Sequence, residues 1–416
     1  MMLATRDARA METRRVLQLL AHREGGDLEW PPAAAWDWRN FAEACETHGV
    51  TPYIYCRLQE LSGSAVPAGL LEHLRTRFHE ICSRNYELAK KMVDLASMLQ
   101  NEGIPALSYK GPSLAMAIYD GLALRHYNDL DLVIRKEHHA KAVPLMAGWG
   151  FQIVPKPALP RVRPFLGRPE DPRNVERCPE IEFCAPDSTY YVDLHWQLGD
   201  PFWRPLHPDV EKFWDRAERQ DLPQGSVFTL CREDLFLALC AHGNGHRWIC
   251  LKWLLDIAEL LRKAETLDWS RIEEMVRIRP GAGASASVAV LLAHDLLEVP
   301  VPVEAKKILP ATSRTLALAA AIREEILLRG ESSGEERATL LALEARRVAR
   351  MKYQAVRVIS YPGGLFREVI VQVSPNDRAV IRLPQKLQFL YYVIRPVRLV
   401  VKHCLRVAHM LWSTAS

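Results

Sequence analysis

Apolar positions recur every three or four residues through most of the first hundred residues, the period of helices that bury one face. The longest run is Val66–Gln100, where Leu70, Leu71, Leu74, Phe78, Ile81, Leu88, Met92, Leu95 and Leu99 keep the spacing until Gly103 ends it. Met11–His22 repeats the pattern with basic residues between. Asp37 is placed to cap a helix over Trp38–Cys45, with Gly49 as its stop. From Ile104 the period changes. Ile104–Tyr109 is a short apolar run of strand character, and Pro112 and Ser113 then open a helical segment to Tyr119. Proline is tolerated in a first helical turn, where its missing N–H costs nothing. Asn128–Ile134 alternates polar and apolar residues and then turns wholly apolar, which predicts a strand. Glu137–Gly148 reads as helix and Phe151–Val154 as strand. Glu180–Ala185 and Thr189–Trp196 read as a hairpin around the turn residues Pro186-Asp187-Ser188. After residue 200 the helical period returns, in Glu233–Leu239 leading into a pattern over His242–Arg262. It returns again in Glu336–Arg350, beyond a Gly/Ser/Glu linker at Gly330–Glu335. The expected fold class is α+β. A small mixed sheet in residues 102–200 would be flanked by helical regions at 1–101 and 201–345, with a basic amphipathic segment at 346–416.

The alternation puts Asp129 and Asp131 on one face of their strand. Two carboxylates side by side repel, a cost that a shared cation removes. Magnesium suits the position, because it takes a few carboxylates, keeps some water and accepts other ligands from substrate phosphates. Tyr190–Trp196, a strand-like run with Asp193 at its middle, is the expected source of a third carboxylate. Lys110-Gly111-Pro112-Ser113 forms a turn at the mouth of a helix, where free N–H groups and the helix dipole bind phosphate. The stretch Pro155–Pro179 carries Arg161, Arg163, Arg168, Arg173 and Arg177. A loop of that length in a compact domain is functional or disordered, and guanidinium forks suit phosphate oxygens. Each residue has a plainer reading: Asp129 as a turn cap, Asp193 in a salt bridge, Lys110 as a surface charge, the arginines as a solvated loop. His242 and His246, four apart, have zinc-ligand spacing but no evident third partner. They read as partly buried histidines beside the site, in contact with nucleotide or acceptor. His195 and Trp196 read as packing and orienting residues, and Trp248 and Trp253 as core.

Charge and composition narrow the class. At 416 residues, 49% hydrophobic and 25% charged, the chain can bury a sizeable core in two or more units. A net charge of +4 does not by itself argue for nucleic-acid binding, and no specific nucleic acid is expected. Nine scattered cysteines without a paired spacing, and a charged start rather than a secretory signal, point to a reduced, cytoplasmic protein. Pro384–Trp412 sets Arg395, Arg398, Lys402, Arg406 and His409 on one helical face, opposite Val397, Val401, Leu405, Ala408 and Trp412. That is the pattern of a helix lying on an anionic membrane or in a partner groove, here peripheral to the inner membrane. A terminal helix packed on its own domain gives the same pattern.

Three blocks, taken together, carry a resemblance. They are Lys110-Gly111 with Tyr119, Arg125 and Asp129-Leu130-Asp131; Val192-Asp193-Leu194-His195-Trp196; and His242-Gly243-Asn244-Gly245-His246-Arg247-Trp248 followed by Leu251-Lys252-Trp253-Leu254-Leu255-Asp256-Ile257-Ala258. In that order they resemble the nucleotidyltransferase superfold of the DNA polymerase beta type. More closely they resemble the bacterial group called the uncharacterised nucleotidyltransferase family. The chain departs from the wider pattern at Gly111-Pro112, where the superfold has Gly-Gly or Gly-Ser, and at Gly245, where the group has Lys. The resemblance implies transfer of a nucleoside monophosphate from a nucleoside triphosphate, ATP among the candidates, to an acceptor, with release of pyrophosphate. The acceptor is left open among a peptide or protein, a small molecule and a sugar. Asp129, Asp131 and Asp193 would hold two Mg2+ ions about 4 Å apart, with Mn2+ as a substitute, and Asp193 would take the acceptor proton. Lys110, Gly111 and Ser113 would hold the β- and γ-phosphates, Arg125 would steady the aspartates or meet the α-phosphate, and His195, His242 and His246 would support them. Two other readings stay open: glycosyl-type transfer from a nucleotide sugar, and a non-catalytic, membrane- or partner-binding protein of the same fold.

Overall fold

The computed structural model describes residues 2–21, 37–60, 66–154, 170–171, 178–198, 208–309 and 311–329. The five arginines at 161–177, the linker at 330–335, the helical pattern at 336–350 and the basic segment at 384–412 lie outside the described residues. Twelve α-helices and seven strands are described, with three short 3-10 turns between them. The helices are α1 (Met2–Ala21), α2 (Trp38–Thr47), α3 (Thr51–Glu60), α4 (Ala68–Asn101), α5 (Gly111–Tyr119), α6 (His139–Gly148), α7 (Arg232–Gly245), α8 (Leu251–Arg262), α9 (Trp269–Ile278), α10 (Pro280–Leu297), α11 (Val303–Ile308) and α12 (Ser313–Arg329). The strands are β1 (Ala106–Ser108), β2 (Asp129–Ile134), β3 (Gln152–Ile153), β4 (Glu180–Cys184), β5 (Tyr191–His195), β6 (Glu218–Leu222) and β7 (Gly225–Thr229).

The strands form one mixed sheet in the order β3-β4-β5-β2-β1-β7-β6. β2 lies at its middle, parallel to β5 and antiparallel to β1. The α+β class therefore holds. The sheet is larger than the sequence pattern indicates, because the region after residue 200, expected to be helical, contains the β6–β7 hairpin. β7 then pairs with β1 in parallel. Glu218–Leu222 is mostly polar and Gly225–Thr229 short, so neither carries a visible apolar period. A second departure is the break between α7 and α8, where one continuous helical pattern was expected. Arg247 and Trp248 adopt left-handed backbone, with φ of 57° and 52°. The chain turns there so that the Trp248 ring folds onto Gly243, where an added Cβ would lie 2.4 Å from the indole.

Period two decides which face of the sheet is dry. Leu130, Leu132 and Ile134 of β2, Val192 and Leu194 of β5, and Ile181 and Phe183 of β4 share one buried cluster with Leu88, Met92, Leu95 and Leu99 of α4 and Met146 of α6. The alternate residues of the same strands face the other way and are largely polar. A second cluster joins the amino-terminal helices to α7, α8, α10 and α12 and reaches the sheet through Leu107, Tyr109 and Val133. Among the described helices, α10 is long and apolar enough to cross a membrane, yet 67% of it is buried inside the protein, as in a core helix.

Candidate active site

The site grows from a register match. On parallel strands β2 and β5, Asp131 lies opposite Asp193 and Asp129 opposite Tyr191. On β4, antiparallel to β5, Glu182 lies opposite Asp193 and Glu180 opposite His195. Residues two apart share a face, so Asp129, Asp131, Asp193, His195, Glu180 and Glu182 all stand on the face away from α4. Asp131, Asp193 and His195 each place one ligand atom within 4.8 Å of the others. Asp129 is outside that group, one step along the strand. Of the expected three carboxylates, two converge directly, and a histidine completes the set.

Asp131 is the electrostatic centre. Its Oδ1 lies 2.9 Å from the Lys110 ammonium and 3.0 Å from His195 Nε2. His195 Nδ1 lies 2.9 Å from Glu180 Oε2, so both ring nitrogens face carboxylates. Burial alone would raise the Asp131 carboxyl, but Lys110 and His195 outweigh it and hold it well below the usual carboxylate range. Burial would likewise push the His195 imidazole down, yet Glu180 and Asp131 hold its pKa at about 10. The Lys110 ammonium also sits 4.9 Å over the Tyr109 ring. Tyr109 in turn is fixed by its hydroxyl, which donates to the Ala238 carbonyl of α7 at 3.2 Å, and by edge-to-face contact with His195.

Beside this group, Gly111 starts α5 with φ of 59°, a left-handed value that favours glycine. Its missing Cβ would stand 3.6 Å from the Asp129 carbonyl, so the turn lies directly against the start of β2. Pro112 follows, which removes one of the N–H groups that a helix start leaves free. Ser113 does not reach the mouth of the turn. It is fully buried, and its Oγ lies 2.5 Å from Ser108 Oγ and 3.1 Å from the Lys110 carbonyl, which it staples beneath the turn. Its expected role on phosphate gives way to a structural one, since its hydroxyl is already committed.

Arg125 departs further from expectation. Its buried guanidinium grips Asp256 of α8 at 2.9–3.1 Å, and the Tyr119 hydroxyl donates to the same carboxylate at 2.9 Å. A guanidinium taken out of water needs a paired anion, so Arg125 serves as a latch between the strand and helix blocks rather than as a phosphate ligand. The loop between Tyr119 and β2 is held from below as well. The Asn85 amide of α4 donates to the Leu122 and Arg125 carbonyls, and the Tyr127 hydroxyl donates to the Asn85 carbonyl. His242 and His246 pack with Trp253 as three rings 4.6–5.2 Å apart. Trp248 and its neighbour Asn244 are core, as expected for the tryptophan, with the indole N–H donating to Asn244 Oδ1 at 3.0 Å.

Sequence reasoning missed Glu180, Glu182 and Asp256. For the first two a signal existed. Glu180-Ile181-Glu182 repeats the acid–apolar–acid alternation of Asp129-Leu130-Asp131, and the hairpin places it beside Asp193. Asp256 stands in the third of the blocks that carry the resemblance, but its partner Arg125 is not readable from residue order.

The donor set fits a hard divalent cation. Asp131 and Asp193 offer carboxylate oxygens side by side, and carboxylates are what such ions prefer. His195, with both nitrogens turned to carboxylates, orients Asp131. A family model described as "Uncharacterised nucleotidyltransferase" matches residues 34–298, which takes in the sheet, α5, α7, α8 and the whole Asp131 group. No curated protein and no solved structure matches the chain.

Proposed function

The chain belongs to this uncharacterised nucleotidyltransferase family, and from that premise we propose that it transfers a nucleoside monophosphate from a nucleoside triphosphate to an acceptor nucleophile in a Mg2+-dependent reaction. The observation that carries the reading is the in-register pair Asp131–Asp193 on parallel strands, beside a glycine turn that opens a helix. The acceptor atom bonds to the α-phosphorus, the bond from that phosphorus to the bridging oxygen of the β-phosphate breaks, and pyrophosphate leaves. Asp131 and Asp193 would hold the Mg2+, which when bound would supply charge neutralisation and lower the pKa of the acceptor. Asp129, two residues before Asp131 on the same strand face, would add its carboxylate beside the metal-bound phosphates. Asp193 would also take the acceptor proton. The start of α5, with Gly111, presents backbone N–H groups to the phosphates, and Lys110 is the cation nearest Asp131. His195 and Glu180 hold Asp131 in place. A cytoplasmic location, with peripheral membrane contact through residues 384–412, completes the reading and rests on the sequence alone.

The test is direct. The full chain is incubated with Mg2+, cell lysate as acceptor source, and each of four NTPs labelled at the α-phosphate. Label should pass to an acceptor with release of pyrophosphate, and Asp131→Asn and Asp193→Asn should each lose at least about a hundredfold of the rate. Transfer from a nucleotide sugar instead, or label transfer that survives both substitutions, would sink the reading.

A further inference from the structure

Cations at the heart of this molecule are paired. Lys110 meets Asp131, Arg125 meets Asp256, Arg216 meets Asp234, Arg262 meets Glu259, and Lys263 meets Asp120. Lys252, at the start of α8, breaks the rule. It is half-buried, and its ammonium has one long hydrogen bond, 3.4 Å to the His126 carbonyl, with no carboxylate partner among the described residues. An ammonium removed from water without an anion is a standing cost. Burial first, and then the neighbouring Arg125 charge, push its pKa down, while Asp129 and Asp256 only partly offset them.

The protein nevertheless builds a guide for this side chain. The Lys252 N–H donates to the His48 carbonyl at 3.1 Å, which docks the start of α8 on the turn after α2. The next residue, Gly49, has φ of 67°, and an added Cβ would stand 2.8 Å from Lys252 Cδ. The aliphatic stem therefore runs over bare backbone, from the amino-terminal helices toward the segment that leads into β2. That segment is the one against which the Gly111 turn packs, through Tyr127 and the Asp129 carbonyl. Asp129 contributes to the field at both Lys110 and Lys252. Two lysines thus flank the start of β2, one neutralised by Asp131 and one not.

We propose that Lys252 binds the phosphate chain of the nucleotide, its ammonium moving from the His126 carbonyl to phosphate oxygens, with Gly49 as the positioning residue that aims it. The anion class is a polyphosphate, because the cation meets the segment before β2, at the His126 carbonyl, and the turn that opens α5 packs on the next residues of that segment. The inference deepens the nucleotidyl-transfer reading and rests on it. It also gives the amino-terminal helices a part in the site.

The experiment is calorimetric titration of the full chain with each of the four Mg-NTPs and with inorganic tripolyphosphate, at several KCl concentrations. The variants are Lys252→Met, which keeps the stem, Lys252→Arg, which keeps the charge, and Gly49→Ala, which displaces the stem. One lost charge-assisted contact weakens binding by about ten- to a hundredfold. Lys252→Met should therefore raise the Kd of the tightest Mg-NTP, and of tripolyphosphate, by at least about tenfold, and should flatten the salt dependence. Gly49→Ala should move the same way, and Lys252→Arg should stay close to wild type. Melting temperatures report folding separately, and should Lys252→Met fail to fold, the comparison of Gly49→Ala with Lys252→Arg decides. Unchanged affinity in Lys252→Met or in Gly49→Ala would overturn the assignment while leaving the transfer reading intact. A wild-type chain that binds none of the NTPs and no tripolyphosphate would overturn both.

Discussion

At the residue scale, the chemistry rests on a short chain of charges, Lys110 to Asp131 to His195 to Glu180, with Asp193 alongside. The His195 pKa is held at about 10 by carboxylates on both sides, against an ordinary value near 6.5. A group whose folded pKa is raised contributes stability in full below its unfolded pKa and loses it as pH rises through the folded one. In the chain with divalent cations chelated, His195 therefore adds stability below about pH 6.5, and the gain fades as pH climbs toward 10. Glu180→Gln removes the larger raising partner, so the imidazole should titrate at lower pH and the loss should begin earlier. Histidine NMR titration, together with melting temperatures from about pH 6 to about pH 10, checks both. A wild-type His195 that titrates near 6.5 would contradict the geometry. The sequence showed Asp129, Asp131 and Asp193 because alternation on a strand is readable from residue order alone. It did not show that Ser113 is buried or that His195 lies between two acids. Those follow from which strand lies beside which, and residue order does not contain that information.

At the element scale, the latch among Tyr119, Arg125 and Asp256 explains why the strand and helix blocks travel together. β2 and the loop before it gain their position from α8, through a buried pair whose members are both almost completely removed from water. Breaking such a pair strands a charge in the interior and costs about 3–5 kcal/mol. Asp256→Asn should therefore lower the urea midpoint of unfolding by a corresponding amount. It should also loosen residues 120–128, read as faster amide exchange in that loop. An unchanged midpoint would show that solvent reaches the pair. From sequence, Arg125 looked like a phosphate ligand, because an arginine four residues before an acidic pair is compatible with either use. Only the arrival of α8 above the loop, 131 residues later in the chain, decides between them. The helices with strong periodicity, above all α4, were legible throughout. The β6–β7 hairpin was not, since its strands are short and gain their place through the pairing of β7 with β1.

At the scale of the whole molecule, the dry and wet faces of the sheet divide the labour. α4 and α6 seal one face, and the other stays polar beneath the turn that opens α5. The amino-terminal helices and the helices after residue 231 lie at opposite ends of the sequence, yet they share one apolar cluster. Leu20 of α1 is fully buried in that cluster, and its carbonyl accepts from Arg262 of α8 at 2.9 Å. Such sharing predicts that the two regions unfold as a single cooperative body, in which a defect at one end is felt at the other. Leu20→Ala should cost about 2–5 kcal/mol, as buried leucine truncations do. The decisive readout is where that cost appears. If the cluster is common, amide exchange should accelerate in α8 and α10 as well as in α1, and the unfolding transition should shift as one. Faster exchange confined to α1 would mean that the amino-terminal helices are a separate layer. Lys252 would then reach the site without their help, and Gly49 would lose its place in the argument for how that lysine is aimed.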